Sequence, residues 1–272
     1  MHQKLPPFSA IIILMIVLIS CKQNNTADNS NLPVAMDDSS RIIIDRAIAY
    51  AGGYDAWQQK KTLSFDKKSI SYDSTGKVTR ELDQHLDYMM KPEFRAKIIY
   101  KQNDTTITLI HDGQKARKLY NGKATTEQKD IDNAWSLVLS SHYNMCMPYK
   151  LKDAGTKAEY IKITTLTDGE QAQEIKITYS KGTDKNKDQI WYYYFEPGTG
   201  KLLANSQKGK IWNYTRYESF EKAGGLLMPA IRKGSASNEL NKSGKPTVES
   251  KNSNIVFDKE FAADHFKIKD DK

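Results

Sequence analysis

The chain has 272 residues, with 41 Lys and Arg against 33 Asp and Glu, a formal net charge of +8 and two cysteines. Its basic residues are interspersed with acidic ones, which describes a solvated surface and excludes a nucleic-acid patch as the organising feature. Two cysteines cannot staple a scaffold, so a chain of this length must bury a substantial core.

The N-terminus carries Lys4 and an apolar run from Ala10 to Ile19, ending Leu18-Ile19-Ser20-Cys21. That run is too short for a spanning helix, which needs ~20 apolar residues, and it fits the apolar segment of a signal peptide. Its ending resembles the lipobox of bacterial lipoproteins: Leu, an aliphatic residue, a small residue, then Cys. The resemblance implies cleavage before Cys21, diacylation of its thiol and acylation of its new amino group. Several acyl chains anchor stably where one is marginal. Residues 1–20 therefore read as a lipoprotein signal peptide. Residues 21–38, mostly Asn, Asp, Ser and Thr after Lys22, read as a flexible tether. With Cys21 lipidated, Cys146 is the remaining thiol and no intrachain disulfide forms.

A single domain is expected over 39–272. Ser39-Ser40 supplies a helix cap before Ile42, Ile43, Ala47, Ile48 and Ala51 at helical spacing. Gly52-Gly53 ends that helix as a left-handed C-cap does. A short turn through Tyr54-Asp55-Ala56-Trp57 leads to strands predicted near 62–73, 78–91, 94–102, 105–112 and 115–121. Asp112-Gly113 and Asn121-Gly122 are strong hairpin turns, and Pro92, with no N–H, marks a strand boundary. Over Glu127–Tyr143 the period changes: Ile131, Ala134, Trp135, Val138 and Leu139 fall at helical spacing. Strands resume near 158–166, 171–180, 189–196, 201–208, 210–220 and 226–236. Glu174–Tyr179 alternates as a strand with one wet face does. The polar stretch 237–246 is predicted to tip a long hairpin returning as Thr247–Phe257. Phe257, Phe261 and Phe266 then pin the C-terminus.

Strand 189–196 is the most informative. Ile190, Tyr192 and Tyr194 point to one side, and Trp191, Tyr193 and Phe195 to the other. A strand apolar on both faces is covered on both, by a helix of the same chain or by an apolar ligand. The 127–143 helix, with Trp135 as its largest apolar group, is the internal candidate for that cover.

The order of these features is lipobox, tether, a helix ending Ala51-Gly52-Gly53 with Trp57, then Leu63-Ser64-Phe65. Met147-Pro148-Tyr149-Lys150-Leu151-Lys152-Asp153, Trp191–Pro197 and Leu226–Pro229 follow. This resembles an uncharacterised family of Bacteroidota lipoproteins and, more distantly, the LolA/LolB-like fold of outer-membrane lipoprotein-sorting proteins. The resemblance covers most of 40–270. It implies a mainly β protein with a few helices (α+β): a strongly curved antiparallel sheet, or half-open barrel, with helices covering its concave face. In the better-known relatives that face holds acyl chains or another apolar ligand.

No catalytic apparatus, metal site or cofactor is expected. His142 and Cys146 lie four apart near a helix end, a spacing open to an activated thiolate, but a buried free cysteine is the plainer reading. His85, His111 and His265 show no metal-ligand spacing. Asp83 and Asp87 look like the wet side of their strand. Neither a Gly-x-Ser-x-Gly elbow nor a phosphate-binding glycine loop is present. The aromatic set Trp57, Trp135, Trp191, Tyr193, Phe195, Trp212 and Tyr214 either lines a pocket for a hydrophobic ligand, with Trp57 and Trp135 as lid contacts, or forms the core between sheet and helix. Two functions follow. One is a lipid-anchored envelope protein, on the periplasmic or surface face of the outer membrane, that binds a lipid or acyl chain in the concave face. The other is a structural lipoprotein with a filled core that docks another envelope protein through a sheet edge or the 237–246 hairpin.

Overall fold

Neighbours in the chain pair with one another almost throughout. The computed structural model describes residues 33–180 and 189–268; the signal peptide, Cys21 and the tether up to residue 32 lie outside them. One sheet is built from β1 (Ala35–Met36), β2 (Thr62–Tyr72), β3 (Val78–Met89), β4 (Arg95–Gln102), β5 (Thr105–His111), β6 (Ala116–Tyr120), β7 (Lys123–Ala124), β8 (Thr156–Thr165), β9 (Gln171–Tyr179), β10 (Trp191–Phe195), β11 (Leu202–Lys208), β12 (Trp212–Ala223), β13 (Leu226–Ser237) and β14 (Lys245–Phe257). The order across it is β1-β8-β9-β10-β11-β12-β13-β14-β2-β3-β4-β5-β6-β7. Two meanders, β8–β14 and β2–β7, are thus joined where β14 meets β2, in a register that sets Phe257 opposite Leu63 and Lys251 opposite Lys68. The sheet is mainly antiparallel, curved and open, as the sequence predicts.

Helices α1 (Asp38–Tyr50), α2 (Tyr54–Gln58) and α3 (Gln128–Met145), with a 3-10 turn at Tyr149–Lys152, complete the fold. The cap of α1 lies upstream of the expected serines. Asp37 accepts the Ser40 N–H at 2.9 Å and also the Tyr160 N–H at 2.7 Å, so one carboxylate starts the helix and fastens it to β8. The end of the expected tether is correspondingly structured: β1 runs parallel to β8, with Ala35 opposite Lys157. Gly52 is required where α1 ends. Its φ is +114°, and a Cβ there would meet the Gly225 carbonyl oxygen at 2.5 Å.

The inner face carries the main core. Ile43, Ile44, Ala47 and Ile48 of α1, Ala134, Val138 and Met145 of α3, and Met147, Tyr149 and Leu151 after it pack on Leu63, Phe65, Leu86, Tyr88, Leu226 and Met228 of the sheet. Burying a side chain of this kind contributes about 1.5–3 kcal/mol. The Tyr149 hydroxyl donates to the Ala51 carbonyl, and its ring stacks on Trp57 at 4.8 Å.

The outer face is covered in two places, neither of them by a helix. The tip of the β13–β14 hairpin folds back over β8–β11. There the Leu240 carbonyl accepts from the Tyr194 and Ser206 hydroxyls, Asn241 Nδ2 donates to Thr164 Oγ1, and the Ser243 N–H donates to Thr167 Oγ1. The C-terminal segment lies over β2 and β3, where His265 Nε2 meets Asp87 Oδ2 at 2.9 Å. Phe261 packs edge-on against Phe266.

Candidate functional site

Helix α3 lies along β4, β5 and β6, and α1 lies along β8. The middle of the sheet is therefore flanked by the two long helices rather than roofed by their length. We call the inner surface of β10 to β14 with β2 and β3 the trough; Tyr193, Phe195, Tyr217 and Met228 on its floor are fully buried, and Trp191, Phe220 and Leu82 are partly exposed.

Side chains along that floor change character halfway. On β2 the inward residues run Leu63, Phe65, Lys67, Ser69; on β3 they run Tyr88, Leu86, Gln84. Leu63, Phe65, Leu86 and Tyr88 are fully buried, whereas Lys67, Ser69 and Gln84 are partly buried. One cross-strand row joins Tyr217, Arg232, Ser250 and Ser69; its neighbour joins Asn252, Lys67 and Gln84. The polar groups at this boundary are under-used. Arg232 Nε and Asn252 Oδ1 are buried without a hydrogen-bond partner. Asn205 Nδ2 donates to Tyr217 Oη at 3.3 Å, and Asn252 Nδ2 to the Pro229 carbonyl at 2.8 Å. Burial pushes the Tyr193 and Tyr217 hydroxyls above the ordinary tyrosine range.

The expected aromatic set divides between the two faces. Trp57, Trp135, Trp191, Tyr193 and Phe195 belong to the inner core, with Trp191 stacked on Tyr193 at 6.3 Å between centroids. Trp212 meets Tyr192 edge-on, and Tyr214 packs with Tyr194, Leu166 and Leu203 on the outer face beneath the hairpin tip. The period of two requires this: Tyr214 pairs with Ser206, which pairs with Tyr192, so all three share a side. Seven aromatics in one pocket is thus not what the fold builds. Trp135 sits over His111 at 4.4 Å and Phe94 at 6.4 Å, on the β4–β5 flank, and does not cover β10. The last turn of α3 comes closest to that strand through Tyr143, whose hydroxyl meets that of Tyr179 on the adjacent β9. Helix α1 reaches the β10–β11 turn, where Arg46 donates to the Pro197 carbonyl.

Other expectations also change. On strand β9 the expected alternation holds from Ile175 to Tyr179, but Glu174 is 1% exposed, and burial pushes its carboxyl above the usual carboxylate range. Asp87 is 3% exposed rather than on a wet face; Ser64 Oγ donates to it at 2.7 Å, and Lys259 approaches at 3.7 Å. The hairpin tip is bonded to its own sheet and so is not a free docking arm. Cys146 is fully buried and desolvation pushes its thiol far up, the opposite of an activated thiolate. His142 packs between Tyr88 at 5.0 Å and Phe94 at 5.1 Å. Among the described residues, no group of His, Cys, Asp and Glu has the makings of a metal site, and no helix is long and apolar enough to cross a membrane.

A cleft of about 570 Å³ opens on the outer face between the hairpin tip and the β2–β3 turn. Its charged lining is already paired: Arg216 with Asp168 at 3.1 Å and with Glu170, Lys233 with Glu218 at 3.8 Å.

Solved structures share this architecture. A LolA superfamily protein from Nitrosomonas europaea is 7% identical with a TM-score of 0.54, covering 84% of this chain and 97% of its own. A candidate outer membrane lipoprotein-sorting protein domain from Vibrio parahaemolyticus is 8% identical with a TM-score of 0.50, covering 84% and 96%. A DUF1329 family protein from Desulfovibrio piger is 12% identical with a TM-score of 0.47, covering 85% and 98%. At these identities the likeness to the first two is one of fold. No curated protein matches the sequence. The model of DUF6503, a family of unknown function, matches residues 10–209, and the chain belongs to that family.

Proposed function

We propose that this protein is an envelope lipoprotein, held at the membrane by acyl chains on Cys21, that shelters the apolar part of an amphiphile in its inner trough without covalent chemistry. The observation that carries the reading is the uneven cover of the inner face. Its central strands present Trp191, Phe220 and Leu82, only partly buried, between two helices that lie on the flanks. Concave, mostly apolar surfaces with a few converging polar groups are the usual form of a small-molecule site. The half-barrel shared with a candidate lipoprotein-sorting domain supports an acyl chain as the apolar part. The lipobox-like Leu18-Ile19-Ser20-Cys21 supports the anchor.

Native mass spectrometry of the mature chain, purified in mild detergent, tests the binding. A co-purifying hydrophobe in unit stoichiometry is expected; a clean apo mass with no response to a fatty-acid probe contradicts it. Metabolic labelling with palmitate tests the anchor, and Cys21→Ser is expected to abolish the label.

A second reading is favoured by the closed end of the trough, where α1, the end of α3 and the segment through Leu151 fill the inner face. There the protein has a core and nothing to bind. A structural role resting on that core requires a protein partner, which in-cell cross-linking would capture at a sheet edge.

A further inference from the structure

Two cations meet on the trough floor with no acid between them. Arg232 is nine-tenths buried, its Nε has no acceptor, and its guanidinium lies beside the Tyr217 hydroxyl. Lys67 stands one row away, between Asn252 and Gln84. Among the described residues, no carboxylate pairs with either. Three other sheltered cations have a carboxylate: Lys150 has Asp153 at 2.6 Å, Lys118 has Asp130 at 2.9 Å, and Arg216 has Asp168 at 3.1 Å.

Removing a charge from water without a counter-charge is costly, and setting a second like charge beside it adds to the cost. An apolar residue at either position would continue the core that ends one inward residue earlier at Phe65. The strain is visible in Lys67, where burial first and the Arg232 charge second lower the ammonium to about 8. The missing component is an anion. Arg presents a planar fork that matches a carboxylate or phosphate, and Lys adds a point charge.

We propose that Arg232 and Lys67 hold the anionic head, a carboxylate or phosphate, of the amphiphile whose tail lies against Trp191, Phe220 and Leu82. The assignment rests on the trough reading above and narrows it to acidic amphiphiles.

The mature, delipidated full chain is titrated below the critical micelle concentration with dodecanoate, dodecyl phosphate and dodecanol, and separately with acetate and inorganic phosphate. The acidic amphiphiles are expected to bind at least about tenfold more tightly than the alcohol, the effect of one or two charge-assisted hydrogen bonds. The double variant Arg232→Gln, Lys67→Gln should bring that ratio to about one, while Arg232→Lys keeps part of the ratio. Equal binding of acid and alcohol by the unmodified chain overturns the head-group assignment and leaves the trough standing. Binding of none of the three overturns both. Tail-independent binding, with inorganic phosphate or acetate as tight as the amphiphiles, overturns the amphiphile and leaves a site for a free anion. Because the decisive comparison uses the unmodified chain, it stands even where a variant fails to fold, which circular dichroism would report.

Discussion

Tyr194 donates its hydroxyl to the Leu240 carbonyl at 3.2 Å, and Ser206 donates to the same oxygen. That carbonyl makes the tip of a β-hairpin the cover for an aromatic cluster on the outer face. Tyr194→Phe is expected to cost about 1 kcal/mol, since Ser206 still satisfies the acceptor. Replacing residues 239–243 by a two-residue turn should do far more. It uncovers Tyr194, Tyr214, Leu166 and Leu203, and urea unfolding should lose about 3 kcal/mol or more as dye-binding apolar surface appears. An unchanged midpoint would restore the tip as a free docking arm.

Asp87 gathers Ser64, His265 and Lys259 on one buried carboxylate. Asp87→Asn keeps the shape and removes the charge that holds the C-terminal segment to β3. Stability should fall by about 2 kcal/mol, the scale of hydrogen bonds to a charged group. Amide exchange should quicken over residues 258–268 before it does elsewhere.

The Cys146 thiol should be inert in the native state. Burial raises its pKa, so it stays protonated and unreactive to iodoacetamide at pH 8 until the chain unfolds. Sulfur is also in the apolar core, so Cys146→Ala should cost about 1 kcal/mol and Cys146→Asp considerably more. Rapid native alkylation would contradict the burial.

Lys67 predicts a pH dependence with a definite sign. Its native pKa of about 8 lies below the ordinary lysine value of 10.5, so between those values the unfolded chain holds a proton that the native state has released. Stability relative to a Lys67→Met variant should therefore rise with pH across that window and be flat below about 8. Arg232 and Tyr217 face the same ground, together with Tyr100 beyond Gln84. Affinity for an acidic amphiphile runs the other way: it should weaken as pH rises past about 8 and the ammonium is lost. Urea unfolding of both chains from pH 7 to 10.5 measures the first slope, and calorimetric titration over pH 7 to 9.5 measures the second.

Strand positions were legible because turn chemistry is local. Asp112-Gly113 and Asn121-Gly122 end β5 and β6 where the pattern places them, and Ile131, Trp135 and Val138 mark α3 by period alone. The doubly apolar strand β10 was legible as covered on both faces, but not by what. Its outer cover is a polar hairpin tip that binds through backbone carbonyls and side-chain amides, and composition does not report such contacts. Pairing of β14 with β2 joins residues nearly two hundred positions apart, so the row that brings Arg232 near Lys67 has no local signal. Each reads alone as one more surface cation in a basic chain. Splitting Tyr214 from Tyr193 needed only parity, carried across β11 by the register.

The most direct test of the account uses the chain's four tryptophans. Proteins that retain only Trp191 or only Trp212, the others replaced by Phe, are titrated with a dibrominated fatty acid, which quenches indole emission on contact. The account predicts strong saturable quenching of Trp191 on the inner face and little of Trp212 on the outer face. Quenching of Trp212 with Trp191 unaffected, or of neither, would contradict it.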